Sequence, residues 1–106
     1  MLITTMNDLP GYRIDEVLGE CFGLTVRSLG MKGQLGASLK SVVGGELGAL
    51  TEMLHVGRVE GIARLTEAAE GMGANAIIAM RFDTGEMMQM GTEICAYGTA
   101  CKVTKI

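Results

Sequence analysis

Three cysteines, a single histidine and a run of methionines are the side chains in this sequence able to hold a soft metal or attack an electrophile. Cys95 and Cys101 are six positions apart on a strand-like segment. At about 3.3 Å per residue they would share a face yet stand roughly 20 Å apart, too far for one ion within a subunit. Copies of one cysteine converging on a symmetry axis would instead form a thiolate ring suited to Cu(I), Zn(II) or Cd(II). Packing as small hydrophobes is the favoured reading, because free cysteines in apolar strands behave that way. Met87, Met88 and Met90 offer thioethers to Cu(I), but with no Cys or His close in sequence they read as a turn with apolar cover. His55 has no second His, and no Cys three or four residues away, so it reads as a surface or boundary residue rather than a ligand.

Catalytic geometry is not legible. There is no Ser/His/Asp order, no Cys at a helix start beside a base, and no carboxylate pair at a strand end. A thiol-dependent enzyme acting through Cys21 or Cys101 is the last-ranked alternative, since it requires a depressed thiol pKa. Gly44-Gly45 before a helix start can present N–H groups to an anion, but no Lys or Ser/Thr completes a phosphate loop, so a tight turn is favoured. Asn75 reads as a group that satisfies local backbone. Arg81 and Asp83 share a strand face and read as an interface or rim ion pair.

The elements that must position these residues follow from periodicity. Leu2 to Thr5 reads as a short first strand, with turn chemistry in Asn7-Asp8 and Pro10-Gly11. Tyr12 to Arg27 reads as one long bent strand or two in tandem, with Gly19 and Gly23 where a strand bulges or bends. Leu35, Leu39 and Val42 have the spacing of a short helix. Glu46 to Met72 reads as the main helix, its apolar stripe being Leu47, Leu50, Leu54, Ile62, Leu65, Ala69 and Met72. Glu52, Arg58, Glu60, Arg64, Glu67 and Glu70 fall on the far face, Glu60 and Arg64 at the favourable i, i+4 order. Gly73 is placed as a left-handed C-cap. Gly57 and Gly61 sit at spacing four, which would let a neighbouring backbone approach; simple tolerance is the plainer reading. Asn75 to Asp83 alternates Ala76, Ile78, Met80 and Phe82 with Ile77, Ala79, Arg81 and Asp83, and Thr84-Gly85 reads as a turn. Thr92 to Val103 is a last strand with Ile94, Ala96, Gly98 and Ala100 on one face and Cys95, Tyr97, Thr99 and Cys101 on the other.

Length and charge bound the class. The chain has 106 residues, enough for one core and too few for two. It is 48% hydrophobic, yet it holds sixteen Gly, nine Met and no Trp, so its apolar content is small or flexible. A net charge of −3 without blocks of like charge offers nothing to a phosphate backbone, so nucleic acid is not an expected partner. There is neither a signal-peptide pattern nor an apolar run near the roughly 18 residues of a membrane span, and an odd number of widely spaced cysteines suits a reducing compartment. The expected location is the cytoplasm. One helix covers only one side of a sheet with two half-apolar faces, so a second copy of the chain is the simplest cover for the other side.

Thr4-Thr5, Pro10-Gly11-Tyr12-Arg13-Ile14, Val17-Leu18-Gly19, Gly44-Gly45-Glu46, Gly73-Ala74-Asn75-Ala76 and Tyr97-Gly98-Thr99-Ala100, in this order, resemble the YbjQ-like family of small bacterial and archaeal proteins. The resemblance spans nearly the whole chain. It implies an α/β unit of α+β type: a small, mostly antiparallel sheet with one long helix, related to the dodecin-like arrangement and assembled as a homopentameric ring around a barrel-like centre. It also implies a heavy-metal-binding label. Cys95 and Cys101 stand where Val-like residues are expected, and Leu29 where a basic one is common, so the cysteines look like apolar substitutes. The resulting expectation is a single domain, 1–106, that works as a non-enzymatic ring-forming binding module, with a metal ion as its possible ligand. A structural scaffold that docks other proteins is the alternative.

Overall fold

The structure, a computed structural model, describes residues 1–28, 48–87 and 91–106. The elements are β1 (Leu2–Ile3), β2 (Tyr12–Arg27), α1 (Gly48–Gly71), β3 (Ala76–Glu86) and β4 (Thr92–Lys105). The strands form one mixed sheet in the order β1-β3-β4-β2, with β1 parallel to β3 and the other pairs antiparallel. This is the expected α+β arrangement of one long helix and a largely antiparallel sheet. Gly44-Gly45, the proposed short helix at Leu35 to Val42, Leu29, Leu47, Met88 and Met90 lie outside the described residues.

The segment from Tyr12 to Arg27 is one strand. Its pairing with β4 shifts between Ile14 and Glu16 and again between Val17 and Gly19, so the bending expected at Gly19 is present. Gly23 has a different role. A Cβ there would lie 2.1 Å from the Gly61 carbonyl oxygen and 2.3 Å from the Leu65 nitrogen, so α1 crosses β2 at backbone contact. Gly57 leaves similar room for the Ile94 side chain. At Gly57 the reading of mere tolerance is therefore corrected, whereas a Cβ on Gly61 would meet only ordinary contacts, the nearest 3.6 Å away.

The buried line of α1 is Gly57, Gly61, Leu65 and Ala69, four residues apart, while Ile62 is half-buried and Met72 exposed. Because the contact is made through glycine and alanine, the helix lies close to the sheet along a narrow seam. Its end is capped as expected. Gly73 takes φ 88°, its N–H donates to Glu70 O, and Ala74 N–H donates to Ala69 O, which together satisfy the last carbonyls.

β3 differs from its predicted form. It continues through Thr84-Gly85 to Glu86, and its pairing shifts between Ile78 and Arg81, where Ala79 adopts φ 52°. The N-terminal segment holds this bulge: Ala79 N–H donates to Met6 O at 2.7 Å and Met80 N–H to Thr4 O at 3.0 Å. A non-glycine residue in the left-handed region costs about 1 kcal/mol, and these bonds offset it. The extra residue resets the alternation, so Phe82 joins Ile77 on the helix side while Arg81 and Asp83 join Ala76 and Ile78 on the other.

Two apolar clusters result. Cys21, Leu65, Ala69, Ile77, Ala96 and Ala100 pack between sheet and helix. On the opposite, back face, Ala76, Ile78, Cys101 and Val103 are covered by Leu9, Tyr12 and Ile14 of the same chain. Part of the second side is thus closed without another copy.

Candidate functional site

β2 presents its side chains alternately to α1 and to the back face. Cys21, Gly23 and Thr25 are buried beneath the helix, whereas Phe22, Leu24 and Val26 are 54%, 50% and 49% exposed on the back. Across the ladder, Tyr97 lies opposite Phe22 and Cys95 opposite Leu24. The Phe22 and Tyr97 rings are 6.4 Å apart, tilted by 33°. The back face therefore carries an open strip of Phe22, Leu24, Val26 and Tyr97 with Cys95 among them. The sequence signal for it was the period-two pattern of large apolar residues alternating with Cys, Gly and Thr, which a reading of general strand compatibility passes over.

Cys21 and Cys101 are buried and Cys95 is half-buried; all three are free thiols. Each donates to a backbone carbonyl: Cys21 to Gly98 at 3.6 Å, Cys95 to Ala96 at 3.8 Å, and Cys101 to Thr99 at 3.5 Å. Burial pushes all three pKa values up; for Cys95 the nearby carboxylates of Glu93 and Asp83 push further, and for Cys21 the second thiol, Cys101. Thiols held protonated are poor nucleophiles and poor metal ligands. As expected from the alternation, Cys95 and Cys101 share the back face, Cys101 within the covered cluster and Cys95 in the open strip.

The described residues of one subunit do not fit a heavy-metal ion. Among the described residues no three His, Cys, Asp or Glu side chains come together as ligands. His55 is exposed on α1, and Met87 is exposed at the end of β3.

The polar groups are largely structural. Glu60 accepts hydrogen bonds from Thr25 Oγ1 and Arg27 Nη2, and it pairs with Arg64 at 3.3 Å as the i, i+4 spacing suggested. The Thr25 hydrogen bond, with the Arg27 and Arg64 charges, holds its carboxyl below the ordinary value against a smaller opposing effect of burial. Asn75 donates to Val103 O at 2.9 Å and accepts from Val103 N–H at 2.8 Å, imitating a strand residue and extending the β3–β4 ladder. The backbone it satisfies belongs to a distant strand, not to its own turn. Arg81 does not pair with Asp83; its Nη1 donates to Thr5 O at 2.7 Å and Met80 O at 2.9 Å, so it pins the N-terminal segment to the bulge.

No helix among the described residues is long and apolar enough to cross a membrane. A family model described as "Putative heavy-metal-binding" matches residues 1–104. A UPF0145 protein of Acidothermus cellulolyticus is 57% identical over 106 residues, covering 100% of this chain and 98% of its own. Another from Streptomyces coelicolor is 55% identical, covering 99% of each chain. One from the archaeon Sulfurisphaera tokodaii is 49% identical over 99% of this chain and 92% of its own. Among solved structures, a protein of unknown function from Pediococcus pentosaceus, placed in the DUF74 family, superposes with a TM-score of 0.52 at 18% identity over 100% of this chain and 98% of that one. That likeness bears on the fold alone.

Proposed function

This chain belongs to the YbjQ family, and from that premise we propose that it is a non-enzymatic, homo-oligomeric binding module whose single domain assembles as a ring. One observation carries the reading: its large apolar side chains are on the wrong side. Thirteen large hydrophobic residues are exposed among the described residues, while the largest fully buried ones are only Leu65, Ile77, Ile94 and Cys101. A monomer seldom leaves a contiguous apolar strip such as Phe22, Leu24, Val26 and Tyr97 open to water. Self-association removes that cost, and the family resemblance supplies the pentamer as the expected stoichiometry. Free cysteines throughout support a cytoplasmic location.

No metal ligand set lies within a subunit among the described residues, so this reading assembles one by convergence of one side chain from several copies. Cys95 is the thiol placed for this, since it alone of the three opens onto the uncovered strip. Sedimentation velocity at low micromolar concentration tests the assembly: the expected species has a mass several times 11.2 kDa, and a well-folded single subunit overturns the reading. Elemental analysis of tag-free protein and calorimetry with Cu(I), Zn(II) and Cd(II) test the metal. Uptake that is lost in Cys95→Ser supports the metal, no uptake removes the metal from the reading, and an unchanged Cys95→Ser titration removes Cys95 as the ligand.

A further inference from the structure

The N-terminal segment runs along β3 as a strap. Leu2 N–H donates to Asn75 O at 3.2 Å and Thr4 N–H to Ile77 O at 3.0 Å, and the carbonyls of Thr4, Thr5 and Met6 are then taken by three successive residues of β3. Met6 O accepts from Ala79 N–H at 2.7 Å, Thr4 O from Met80 N–H at 3.0 Å, and Thr5 O from Arg81 Nη1 at 2.7 Å. Neighbouring residues of a regular strand turn their N–H groups to opposite sides, so Ala79 and Met80 both face the strap only because of the bulge. The bulge is strained, since Ala79 carries a Cβ and yet takes φ 52°. The strap is lightly held: Ile3 packs half-buried against the helix-side cluster, while Leu2 and Met6 are 38% and 51% exposed.

The residues of β3 fit a second arrangement. Ala76, Ile78, Met80 and Phe82 alternate with Ile77, Ala79, Arg81 and Asp83, a pattern that needs no extra residue at Ala79. With the pairs up to Ile78 and Thr99 kept and the bulge removed, counting along the two strands sets Ala79 opposite Gly98, Met80 opposite Tyr97, Phe82 opposite Cys95 and Gly85 opposite Thr92. A one-residue slip exchanges the faces. Met80 and Phe82, which pack against the helix-side cluster in the bulged register, would stand on the back face beside Phe22 and Leu24, the β2 residues opposite Tyr97 and Cys95. Arg81 and Asp83 would leave that face.

We propose that residues 2–6 are a strap that selects between these two registers. Docked, the strap holds the bulge and keeps Arg81 and Asp83 on the back face. Released, it lets β3 beyond Ile78 move one residue along β4, which relaxes Ala79 and turns a mixed back face into an apolar one. Strap and register are coupled by their bonds. In the slipped register only one of the Ala79 and Met80 N–H groups faces the strap, and Arg81 points to the helix side, so at least two of the three bonds to Thr4, Thr5 and Met6 are given up. The docked register also keeps the Arg58 guanidinium 4.8 Å from the centre of the Phe82 ring, a contact the slip breaks. Each register forgoes something the other has: the bulged one an unstrained Ala79, the slipped one the strap and ring contacts. That balance is what a two-state element requires. The switch works within one subunit and does not depend on the assembly.

Nuclear magnetic resonance on the full chain tests this. Cross-strand contacts tell whether Phe82 lies opposite Ala96, as in the bulged register, or opposite Cys95, and relaxation dispersion at Ile78 to Glu86 measures the slipped population. Ala79→Gly removes the cost of a positive φ and is expected to lower that population at least about fivefold. Ala79→Val, whose branched side chain is ill suited to a positive φ, is expected to raise it at least about fivefold and to bring Phe82 opposite Cys95. Ile3→Ala trims the packed side chain of the strap, leaves the residues of β3 in place, and is expected to raise the slipped population as well. A population that does not rise in Ala79→Val overturns the second register, and one that does not rise in Ile3→Ala overturns the strap as its selector. Should Ala79→Val fail to fold, Ala79→Gly and Ile3→Ala decide: wild-type dispersion unchanged by both overturns the switch.

Discussion

The two faces of β2 differ in the opposite sense from an ordinary strand of a soluble protein. Beneath α1 lie Cys21, Gly23 and Thr25; on the open side lie Phe22, Leu24 and Val26. The inner face is small because the helix comes within backbone contact at Gly23 and Gly61, leaving no volume for larger side chains. The outer face is large although nothing among the described residues lies over it. Hydrophobic residues are a means of holding surfaces together, and in this strand most of them are directed away from the subunit's own core.

The contrast breaks most severely from inside. Gly23→Ala drives a methyl group into the Gly61 carbonyl and the Leu65 backbone, where no flexible side chain can yield. It is expected to destabilise the fold by about 3 kcal/mol, read from the midpoint of urea unfolding. On the outer face, truncation should act on association instead. Phe22→Ala is expected to change the stability of the free subunit by less than about 0.5 kcal/mol, yet to weaken assembly by at least about tenfold in sedimentation equilibrium. An equal loss of subunit stability from both substitutions would erase the distinction between the faces.

A smaller effect sharpens the inner face. Glu60 ties α1 to Thr25 and Arg27, and its folded pKa is depressed. Stability from such a group is fully present above its unfolded value and is lost as pH falls through the folded one. The stability gap between wild type and Glu60→Gln should therefore be widest near neutrality and close as pH drops below about 4. A gap that widens in acid would contradict the assigned partners. Smallest is the reactivity of the thiols. All three are pushed toward protonation, so a mild alkylating agent near pH 7 should modify each more slowly than free cysteine, with Cys95 first. A thiol faster than free cysteine would revive the nucleophile.

The candidate site was legible in proportion to how local its cause is. The two faces of β4, Ile94 to Ala100 and Cys95 to Cys101, were correctly sorted because alternation is a property of neighbouring residues. The C-cap at Gly73 was legible for the same reason. The strip was not: Phe22, Leu24 and Val26 looked like any strand residues until the partner of Cys21, Gly23 and Thr25 was known. The Arg81 and Asp83 ion pair failed because a shared face does not fix partners, and the backbone of Thr5 reached the guanidinium first.

By itself, the order of residues determined the long helix, most of the strands, the two faces of β4 and the family, because each of these depends on types and short spacings; it put Glu60 on the far face of the helix, whereas Glu60 bonds to Thr25 and Arg27 of β2. Tertiary structure decided the rest: the phase of β3 after the Ala79 bulge, the backbone contact between α1 and β2, and which half of the back face Leu9, Tyr12 and Ile14 would cover. The physical reason is that periodicity shows that a face is apolar, while what covers it is set by segments far away along the chain.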